Sequence, residues 1–363
     1  MKKNKNYVDL KDQPVPEGQH LLEVDDLKMY FHTEDGVVRA VDGVSYTLDR
    51  GETLGVVGES GSGKSVTAMT IMGLISMPPG KIEGGDVRYR GRSILEMTEE
   101  EMQHIRGNDI AMIFQDPMTS LNPVYKIGKQ VGEGLRLHRG YSKQEALKRA
   151  TELLDLVGIP EPEKRVNEYP HQFSGGMRQR VMIAMALACD PDILIADEPT
   201  TALDVTIQAQ IIELMQEMQE KNGNAIIMIT HDLGVVADMA DKIMVMYAGR
   251  PVEFGTAEEI FYESRHPYTW GLIRSIPEQA IEEKKPLTPI HGNPPSLMNL
   301  PEGCVFSPRC PYATDKCRKH RPERVVTESG HYSACHYSGD PEFLKNAPET
   351  SRTRKDSKKG GEA

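Results

Sequence analysis

The stretch Thr53–Ser65, which reads TLGVVGESGSGKS, decides the fold. It opens with a short β-branched run, and glycines follow at positions 58, 61 and 63. The residues after it, up to Ile75, carry apolar side chains at helical spacing, so the sequence predicts a strand, a glycine loop and a helix. The loop fits G-x-x-x-x-G-K-[ST], whose backbone N–H groups and helix N-terminus attract phosphate. An ordinary glycine turn can match this pattern by chance, but the flanking strand and helix favour a phosphate-binding loop.

Two acidic residues follow another predicted strand. Asp197 and Glu198 come directly after Ile193–Ala196, which is typical of a strand buried on both faces of a parallel sheet. Ligands bind at the carboxyl ends of such strands, so we expect Asp197 to hold Mg²⁺ through water and Glu198 to orient or deprotonate the attacking water. In the glycine loop, Lys64 is expected to reach the β- and γ-phosphates and Ser65 to bind Mg²⁺. Acidic pairs at strand ends are common, so this pair indicates a nucleotide site only in combination with the glycine loop.

Two further segments extend the predicted site. His231 follows the strand Ala225–Ile229, which a crossover helix joins to Ile193–Ala196, so it should arrive at the same rim and contact the γ-phosphate. A lone histidine is more often a bystander. Ser174 and two glycines precede a helical run and form a second phosphate-ready helix N-terminus. Since one nucleotide needs one glycine loop, this second site is expected to serve a nucleotide held by another subunit, although it also fits a plain N-cap.

Composition narrows the classes of function. The chain has 363 residues, of which 38% are apolar, and a net charge of −11. This charge argues against nucleic-acid binding and against direct docking on anionic lipid, because both need clustered Lys and Arg. No run of 18 apolar residues occurs, and the lysine-rich start lacks the apolar region of a secretory signal. We expect a protein that stays in the cytoplasm and reaches a membrane only through another protein.

Composition shifts along the chain predict its organisation. Residues 1–20 are polar and are interpreted as a flexible tail, and residues 21–265 as one α/β domain with a helical subdomain at about 116–176. Prolines become frequent beyond His266, which predicts an extension over residues 266–340. Residues 341–363 are charged and predicted to be a disordered tail. No internal repeat occurs, so the chain carries the motifs of a single nucleotide site.

Taken in order, the motifs over residues 21–265 resemble the nucleotide-binding subunits of ABC transporters. The glycine loop resembles Walker A, Gln115 the Q-loop, Asp197 and Glu198 Walker B with the catalytic glutamate, and His231 the H-switch. The segment FSGGM at 173–177 resembles the signature, which usually reads LSGGQ, and TALD at 201–204 resembles the D-loop. Phe31 falls where the family places an aromatic ring that stacks on adenine, with Tyr30 as its neighbour.

This resemblance implies a fold and a set of site residues. The implied fold is an α/β P-loop NTPase (RecA-like) ABC ATPase core with an antiparallel β subdomain, a helical subdomain and a small C-terminal extension that carries cysteines. Subunits are implied to pair head to tail, each ATP lying between one Walker A and the other signature. The implied catalytic residues are Glu198, His231 and Gln115, and the implied Mg²⁺ ligands are Ser65, Gln115 and Asp197. The residues implied to contact the nucleotide are Phe31, Gly58, Glu59, Ser60, Gly61, Ser62, Gly63, Lys64, Ser65, Val66, Gln115, Ser174, Gly175, Gly176, Asp197 and Asp204.

Four features resemble one branch of the family, the ATP-binding subunits of oligopeptide and dipeptide importers. They are FSGGMRQR at 173–180, QDPMTSLNP at 115–123, TALDVTIQAQ at 201–210 and the extension from His266 through Cys304. The branch implies a second, non-identical ATPase subunit, two integral membrane permease subunits and an extracytoplasmic peptide-binding protein. It implies a peripheral location on the cytoplasmic face of the cell membrane. Nickel and glycopeptide importers belong to the same branch, so the solute stays open.

Three other interpretations compete, and the first, a non-transport ABC ATPase, covers both DNA-repair and translation factors. A non-transport ABC ATPase of the DNA-repair type carries a long coiled coil between Walker A and signature, whereas 108 residues without a heptad run separate Ser65 from Ser174 here. Translation factors of this fold carry two cassettes in one chain. A drug exporter's ATPase half is disfavoured by the proline- and cysteine-bearing extension. A regulatory module that has lost hydrolysis is disfavoured by Glu198 and His231.

Four of the five cysteines lie together in the extension. Cys304, Cys310, Cys317 and Cys335 are separated by five, six and seventeen residues, so the paired C-x-x-C pattern of zinc knuckles is absent. Four thiolates at open spacing suit a [4Fe–4S] cluster, which similar importers with this extension carry. Zinc, reduced thiols and a disulfide-linked loop stay open as alternatives. The role of such a centre would be structural, and Cys189 is expected to be an ordinary buried thiol.

Overall fold

We describe a computed structural model of the chain, in which residues 10–11, 13–116, 120–200, 203–276 and 289–348 are described. The strands are β1 (Leu22–Thr33), β2 (Gly36–Leu48), β3 (Thr53–Val57), β4 (Gly80–Tyr89), β5 (Arg92–Ser93), β6 (Ile110–Ile113), β7 (Ile193–Asp197), β8 (Ala225–Thr230), β9 (Lys242–Tyr247), β10 (Arg250–Thr256), β11 (Val325–Val326) and β12 (Tyr332–Ser333). The helices are α1 (Lys64–Ile71), α2 (Glu99–Ile105), α3 (Ile127–His138), α4 (Lys143–Leu156), α5 (Pro162–Arg165), α6 (Gly175–Leu187), α7 (Val205–Asn222), α8 (Leu233–Met239), α9 (Ala257–Tyr262), α10 (Pro267–Ile273), α11 (Asp315–Lys319) and α12 (Pro341–Leu344).

The larger sheet carries the nucleotide motifs. Its strand order is β11-β12-β10-β9-β3-β8-β7-β6, and the segment from β9 to β6 is parallel. Every residue of β3, β6, β7 and β8 is buried, because apolar layers cover both faces of the sheet. Of the two strands predicted after the glycine-loop strand β3, β8 pairs with β3 and β7 pairs with β8, and the predicted α/β P-loop fold is confirmed.

A smaller antiparallel sheet is formed by four strands from the first part of the chain. Its strand order is β2-β1-β4-β5, and β1 and β2 form a hairpin in which Phe31 faces Val38. Apolar residues of this sheet, among them Leu22, Leu27 and Val41, share one core with α1 and with the central strands. This is the antiparallel β subdomain that the resemblance implies.

The described residues of the predicted helical region form the helices α3, α4 and α5 before the signature. Helix α4 begins after Ser142, whose hydroxyl accepts from the N–H of Glu145 in a capping box. Ala146, Ala150, Leu153 and Leu154 form the buried face of α4, which packs with α3 and α6 in the same core as β6 and β7. Residues 117–119 of this region lie outside the described residues, so its exact start stays a prediction.

The C-terminal extension is joined to the central sheet. Strand β12 pairs with β10, and β11 pairs with β12, so residues beyond His266 lengthen the sheet that holds the glycine loop. Val305 and Phe306 pack in one core with Val245 and Tyr247 of β9. The extension therefore shares a hydrophobic core with the preceding α/β domain.

Both predicted tails contain ordered residues, which corrects the sequence interpretation. Leu10, within the predicted flexible segment 1–20, is buried at 2% exposure in the core of the smaller sheet. At the other end, Phe343 of α12 packs against the rings of Trp270, Tyr312 and Tyr337. Isolated apolar residues in a polar segment gave no periodic pattern, which is why the sequence did not reveal them.

None of the helices in the described ranges is both long and apolar enough to cross a bilayer.

Candidate functional site

The glycine loop connects β3 to α1 in a conformation that requires its glycines. Gly58 and Gly63 have φ angles of 150° and 100°. A Cβ atom on Gly58 would lie 2.2 Å from the carbonyl oxygen of Met246, and one on Gly63 would lie 2.3 Å from that of Ala40. Only glycine fits where the loop approaches neighbouring backbone so closely. The sequence pattern therefore corresponds to a tight loop at the C-terminal end of the central strand.

Two polar groups of this loop point to phosphate binding. The Lys64 ammonium lies within the loop and donates to the carbonyl oxygens of Gly58 at 2.7 Å and Glu59 at 3.0 Å. The hydroxyl of Ser62 is buried without a hydrogen-bond partner among the described residues, so it can donate to an anion. Ser60 and Gly61 form the exposed tip. The loop thus offers a cation, a free hydroxyl and backbone N–H groups to one phosphate chain.

Ser65 and Asp197 form a pair of oxygen donors suited to Mg²⁺. The Ser65 hydroxyl donates to Asp197 Oδ1 at 3.0 Å. These two oxygens would hold Mg²⁺ beside the phosphate chain, with Asp197 acting through water as the sequence predicts. Hard oxygen donors with phosphate oxygens and waters are the usual Mg²⁺ environment in proteins. The residues present therefore fit the metal.

Glu198 stands where the ends of three strands meet. Gln115, after β6, donates its amide N–H to Glu198 Oε2 at 3.0 Å. His231, after β8, places Nδ1 at 3.3 Å from Glu198 Oε1. Glu198 has a φ of 49°, unusual for a residue with a side chain, and strain of this kind often accompanies a functional role. Gln115 and His231 thus both contact Glu198, the third catalytic residue proposed from the sequence. Asp197, which pairs with Ser65, directly precedes Glu198 in the chain.

Burial tunes the charges of this site. The pKa of Asp197 is raised, first by burial and further by the negative charge of Glu198, although Ser65 and Lys64 oppose the rise. Burial lowers the pKa of Lys64, while Glu198 and Asp197 counter this effect. A cation placed between the two carboxylates would relieve their repulsion. The geometry therefore favours binding of Mg²⁺ together with a phosphate chain.

The signature segment is exposed at the start of α6. Ser174 caps this helix by accepting from the N–H of Met177 at 3.3 Å, and both Ser174 and Gly175 face solvent. Gln179, one turn further, is 1% exposed and donates to the carbonyl oxygen of Pro199 at 2.6 Å. Pro199 directly follows Glu198, so the signature helix is tied to the catalytic segment. The sequence did not predict this link.

Two remaining predicted contacts have other partners in the structure. Tyr30 donates to Asp42 Oδ1 at 2.9 Å, and its neighbour Phe31 is half-buried, so the stacking of Phe31 on adenine stays a prediction. Asp204 is the N-cap of α7 and accepts from the N–H of Ile207 at 3.0 Å. Its contact with a nucleotide stays a prediction, and Thr201 and Ala202 of the D-loop lie outside the described residues.

The four C-terminal cysteines line a single cavity. Cys304, Cys310, Cys317 and Cys335 surround it together with aromatic side chains that include Phe306 and Tyr312. Burial, with a smaller contribution from neighbouring cysteines, raises the pKa of Cys310 to about 11 and of Cys335 to about 12. In the part of the chain that the structure describes, no group of three or more His, Cys, Asp or Glu side chains is arranged to hold a metal ion. Cys189 is buried elsewhere, beside Gly134.

The structure also adds residues that sequence reasoning missed. Arg309 and Tyr268, both from the extension, contact Glu59 of the glycine loop. They lie more than 200 positions from Glu59, at separations of 250 and 209 residues. No local pattern in the sequence signals such a contact.

Comparison with known proteins gives two matches to family profiles. The profile described as "ABC transporter" matches residues 41–201, and the one described as "Oligopeptide/dipeptide transporter, C-terminal region" matches residues 252–317. The second match begins inside β10, ahead of the boundary predicted at 266, in keeping with the continuity of sheet and extension.

Two curated relatives and a solved structure are similar to the chain in the same way as these profiles. The chain is 58% identical to "Oligopeptide transport ATP-binding protein OppD" of Bacillus subtilis (strain 168), over 86% of this chain and 87% of that protein. It is 52% identical to "Dipeptide transport ATP-binding protein DppD" of Escherichia coli (strain K12), over 88% of this chain and 97% of that protein. A solved dimeric ATP-binding cassette in a post-hydrolysis state with ADP and Pi matches with a TM-score of 0.60 and 29% identity, over 65% of this chain and 98% of that one. The chain therefore belongs to the ATP-hydrolysing, ATP-binding subunits of ABC transporters, in the group that carries the oligopeptide/dipeptide transporter C-terminal region.

Proposed function

We propose that this chain binds and hydrolyses MgATP to power the import of peptides across the cell membrane. The observation that carries the proposal is the meeting of Walker A, Asp197, Glu198, Gln115 and His231 at one edge of the parallel sheet. The curated relatives named above are oligopeptide and dipeptide transport ATP-binding proteins, which favours peptide as the solute. A nickel or other solute importer is the alternative within the same branch, and a non-transport ABC ATPase is the alternative outside it.

Each residue of the site has a defined role in this proposal. Lys64 and Ser62 hold the phosphate chain in the glycine loop, and Phe31 stacks on adenine. Ser65 and Asp197 would hold Mg²⁺, and the metal would supply positive charge to offset that of the phosphates. Glu198 accepts a proton from the attacking water or orients it, in a position that Gln115 and His231 fix by contacting both carboxylate oxygens. Positioning and charge stabilisation supply most of the catalysis.

The exposed signature segment supports pairing with a second subunit. Ser174 and Gly175 lie at a solvent-facing helix N-terminus, which suits the γ-phosphate of a nucleotide bound by a partner. A cassette of this fold has been solved as a dimer, which supports a paired arrangement. Met177 departs from the usual signature and favours a partner that is not identical. Two permease subunits and an extracytoplasmic peptide-binding protein complete the proposed importer, and this chain sits peripherally on the cytoplasmic face of the membrane.

Assembly of the importer tests the proposal. The tagged chain should copurify from membranes with two polytopic proteins and a second ATPase, and peptide should stimulate ATP hydrolysis by the reconstituted complex. Copurification with DNA-processing or ribosomal factors in place of permeases would support a non-transport ATPase. Stimulation by nickel but not by peptides would support the other importer class.

The cysteine-lined cavity is proposed to hold a [4Fe–4S] cluster. A single zinc ion binds its sulfur ligands at about 2.3 Å, which forces four sulfurs close to one point. A four-iron cluster binds each thiolate through a different iron, so the sulfurs lie farther apart around a larger centre. The support for the cluster is that four cysteines share one cavity and so supply the four thiolates that such a cluster uses. Buried thiols with raised pKa values become thiolates only next to positive charge, which iron supplies.

Metal analysis tests this second proposal. After anaerobic purification, we expect about four iron and four sulfide per chain, as one cluster of this type requires. Cys310→Ser should lose both, whereas Cys189→Ser should keep both, because Cys189 does not line the cavity. Stoichiometric zinc, or a fully stable chain without metal, would contradict the cluster.

A further inference from the structure

The glycine loop is held from outside by a buried arginine. Arg309 donates from Nη1 to Glu59 Oε2 at 2.5 Å and from Nη2 to Glu59 Oε1 at 2.9 Å. This two-bond pairing of guanidinium and carboxylate fixes orientation as well as distance. The Arg309 side chain is only 4% exposed, and that of Glu59 is 29% exposed. A residue of the C-terminal extension therefore fixes the second residue of Walker A.

Arg309 is itself rigidly placed by its own segment. Its Nε donates to the carbonyl oxygen of His291 at 2.9 Å, and Nη2 donates to that of Ile290 at 3.2 Å. The guanidinium also lies 5.8 Å from the ring centre of Tyr247, whose hydroxyl accepts from Nη1 at 3.4 Å. The bond with Glu59 raises the pKa of Arg309, so its charge is permanent. The arginine cannot move without breaking several bonds.

A second group of the extension holds the backbone of the same residue. The N–H of Glu59 donates to the hydroxyl of Tyr268 at 2.9 Å. Tyr268 is fully buried and packs against Tyr247 and Phe306, with ring centres at 4.6 Å and 5.3 Å. The extension thus holds both the side chain and the backbone N–H of Glu59.

The remaining polar group of Glu59, its carbonyl oxygen, is bonded within the glycine loop. Its carbonyl oxygen accepts from the Lys64 ammonium at 3.0 Å. A shift of Glu59 therefore moves a carbonyl that positions the phosphate-binding lysine. Arg309, Glu59 and Lys64 form a continuous chain of contacts from the extension to the phosphate site.

We propose that Arg309 is a positioning residue for the nucleotide site, which sets the conformation of Walker A through Glu59. The proposal goes beyond the import function and does not require the cysteine cavity to hold a cluster. A purely structural bond between extension and domain would change stability but not the affinity for nucleotide.

Nucleotide binding by the full-length chain tests the proposal. We expect Arg309→Met to weaken MgATP binding about tenfold, which corresponds to about 1.4 kcal/mol. Arg309→Lys should recover part of the loss, because lysine keeps the charge but not the two-bond geometry. Arg318→Met is the matched control, since Arg318 lies in the same extension with 59% exposure and pairs only with the surface residue Asp315 in the contacts described. Thermal unfolding of each variant shows whether it is folded.

Glu59→Gln separates positioning from simple charge. Removing a carboxylate near the phosphates should strengthen nucleotide binding if charge alone matters, whereas loss of positioning should weaken it. We expect weakening, and we expect the double variant with Arg309→Met to bind no worse than the weaker single variant. Binding within twofold of wild type by folded Arg309→Met, tighter binding by Glu59→Gln, or additive losses would each overturn the proposal. If Arg309→Met does not fold, Glu59→Gln decides, because it leaves Arg309 bonded to Ile290 and His291.

Discussion

Replacing Glu198 with glutamine should separate ATP binding from hydrolysis. The amide has the size of the carboxylate, so it can still accept from Gln115 and keep its place beside His231. It cannot take a proton from water at neutral pH. The substitution also removes a negative charge that acts on Lys64 and raises the pKa of Asp197. Repulsion of the γ-phosphate falls as a result, and MgATP should bind at least as tightly as in wild type.

The expected loss of turnover follows from the role assigned to Glu198. A positioned general base contributes about 10²–10⁴ in rate, so single-turnover hydrolysis should slow by a factor in that range. At 1.36 kcal/mol for each factor of ten, the barrier rises by about 3–5 kcal/mol. Because the variant binds ATP but hydrolyses it slowly, the ATP-bound closed dimer should accumulate.

The assay measures phosphate release from the assembled complex with the partner subunit's site silenced. Size-exclusion chromatography in MgATP should show the trapped dimer. Glu152→Gln is the matched control, because Glu152 is a surface residue of α4 with 48% exposure and should turn over normally. Hydrolysis by the Glu198 variant within threefold of wild type would refute the role.

Three further predictions concern other parts of the chain. Leu10→Ala should lower the free energy of unfolding by about 2–4 kcal/mol in urea titrations, because Leu10 is buried in the core, whereas exposed Leu137→Ala should stay within about 0.5 kcal/mol. Ser174→Arg should leave MgATP binding by the isolated chain unchanged but reduce hydrolysis by the complex about 10²-fold or more, since the partner's nucleotide loses a preorganised donor, and unchanged hydrolysis would contradict the composite site. Gln179→Met should reduce turnover without changing nucleotide affinity, because it removes the bond to Pro199 beside Glu198 while its volume is kept, and a loss of affinity instead would contradict this link.

The meeting of Asp197, Glu198 and His231 at one edge of the sheet could be predicted because each lies at or directly after the end of a buried strand. Asp197, Glu198 and His231 come after runs whose burial on both faces shows in their apolar composition. Parallel strands bring their carboxyl ends to one edge, so neighbouring strands imply neighbouring side chains. The glycine loop could be predicted from its own sequence pattern and from the strand and helix that flank it.

The contacts of the extension could not be predicted in the same way. Arg309 and Tyr268 meet Glu59 through packing of residues 209 to 250 positions apart, and hydrophobic periodicity carries no information on such pairs. The burial of Leu10 and Phe343 escaped for a related reason, because a single apolar side chain in a polar segment has no period. Likewise, the cysteine spacing predicted that the four cysteines lie together, but not that Phe306 and Tyr312 line the same cavity.

The most direct test of the central claim is ATP-driven peptide uptake. The complex that contains this chain would be reconstituted in proteoliposomes with its binding protein, and uptake of a labelled oligopeptide would be measured with and without ATP on the cytoplasmic side. We predict uptake that requires ATP and is lost in Lys64→Ala, because Lys64 lies within the phosphate-binding loop. Uptake that persists in Lys64→Ala, or ATP-dependent transport of nickel with no transport of peptide, would contradict the account.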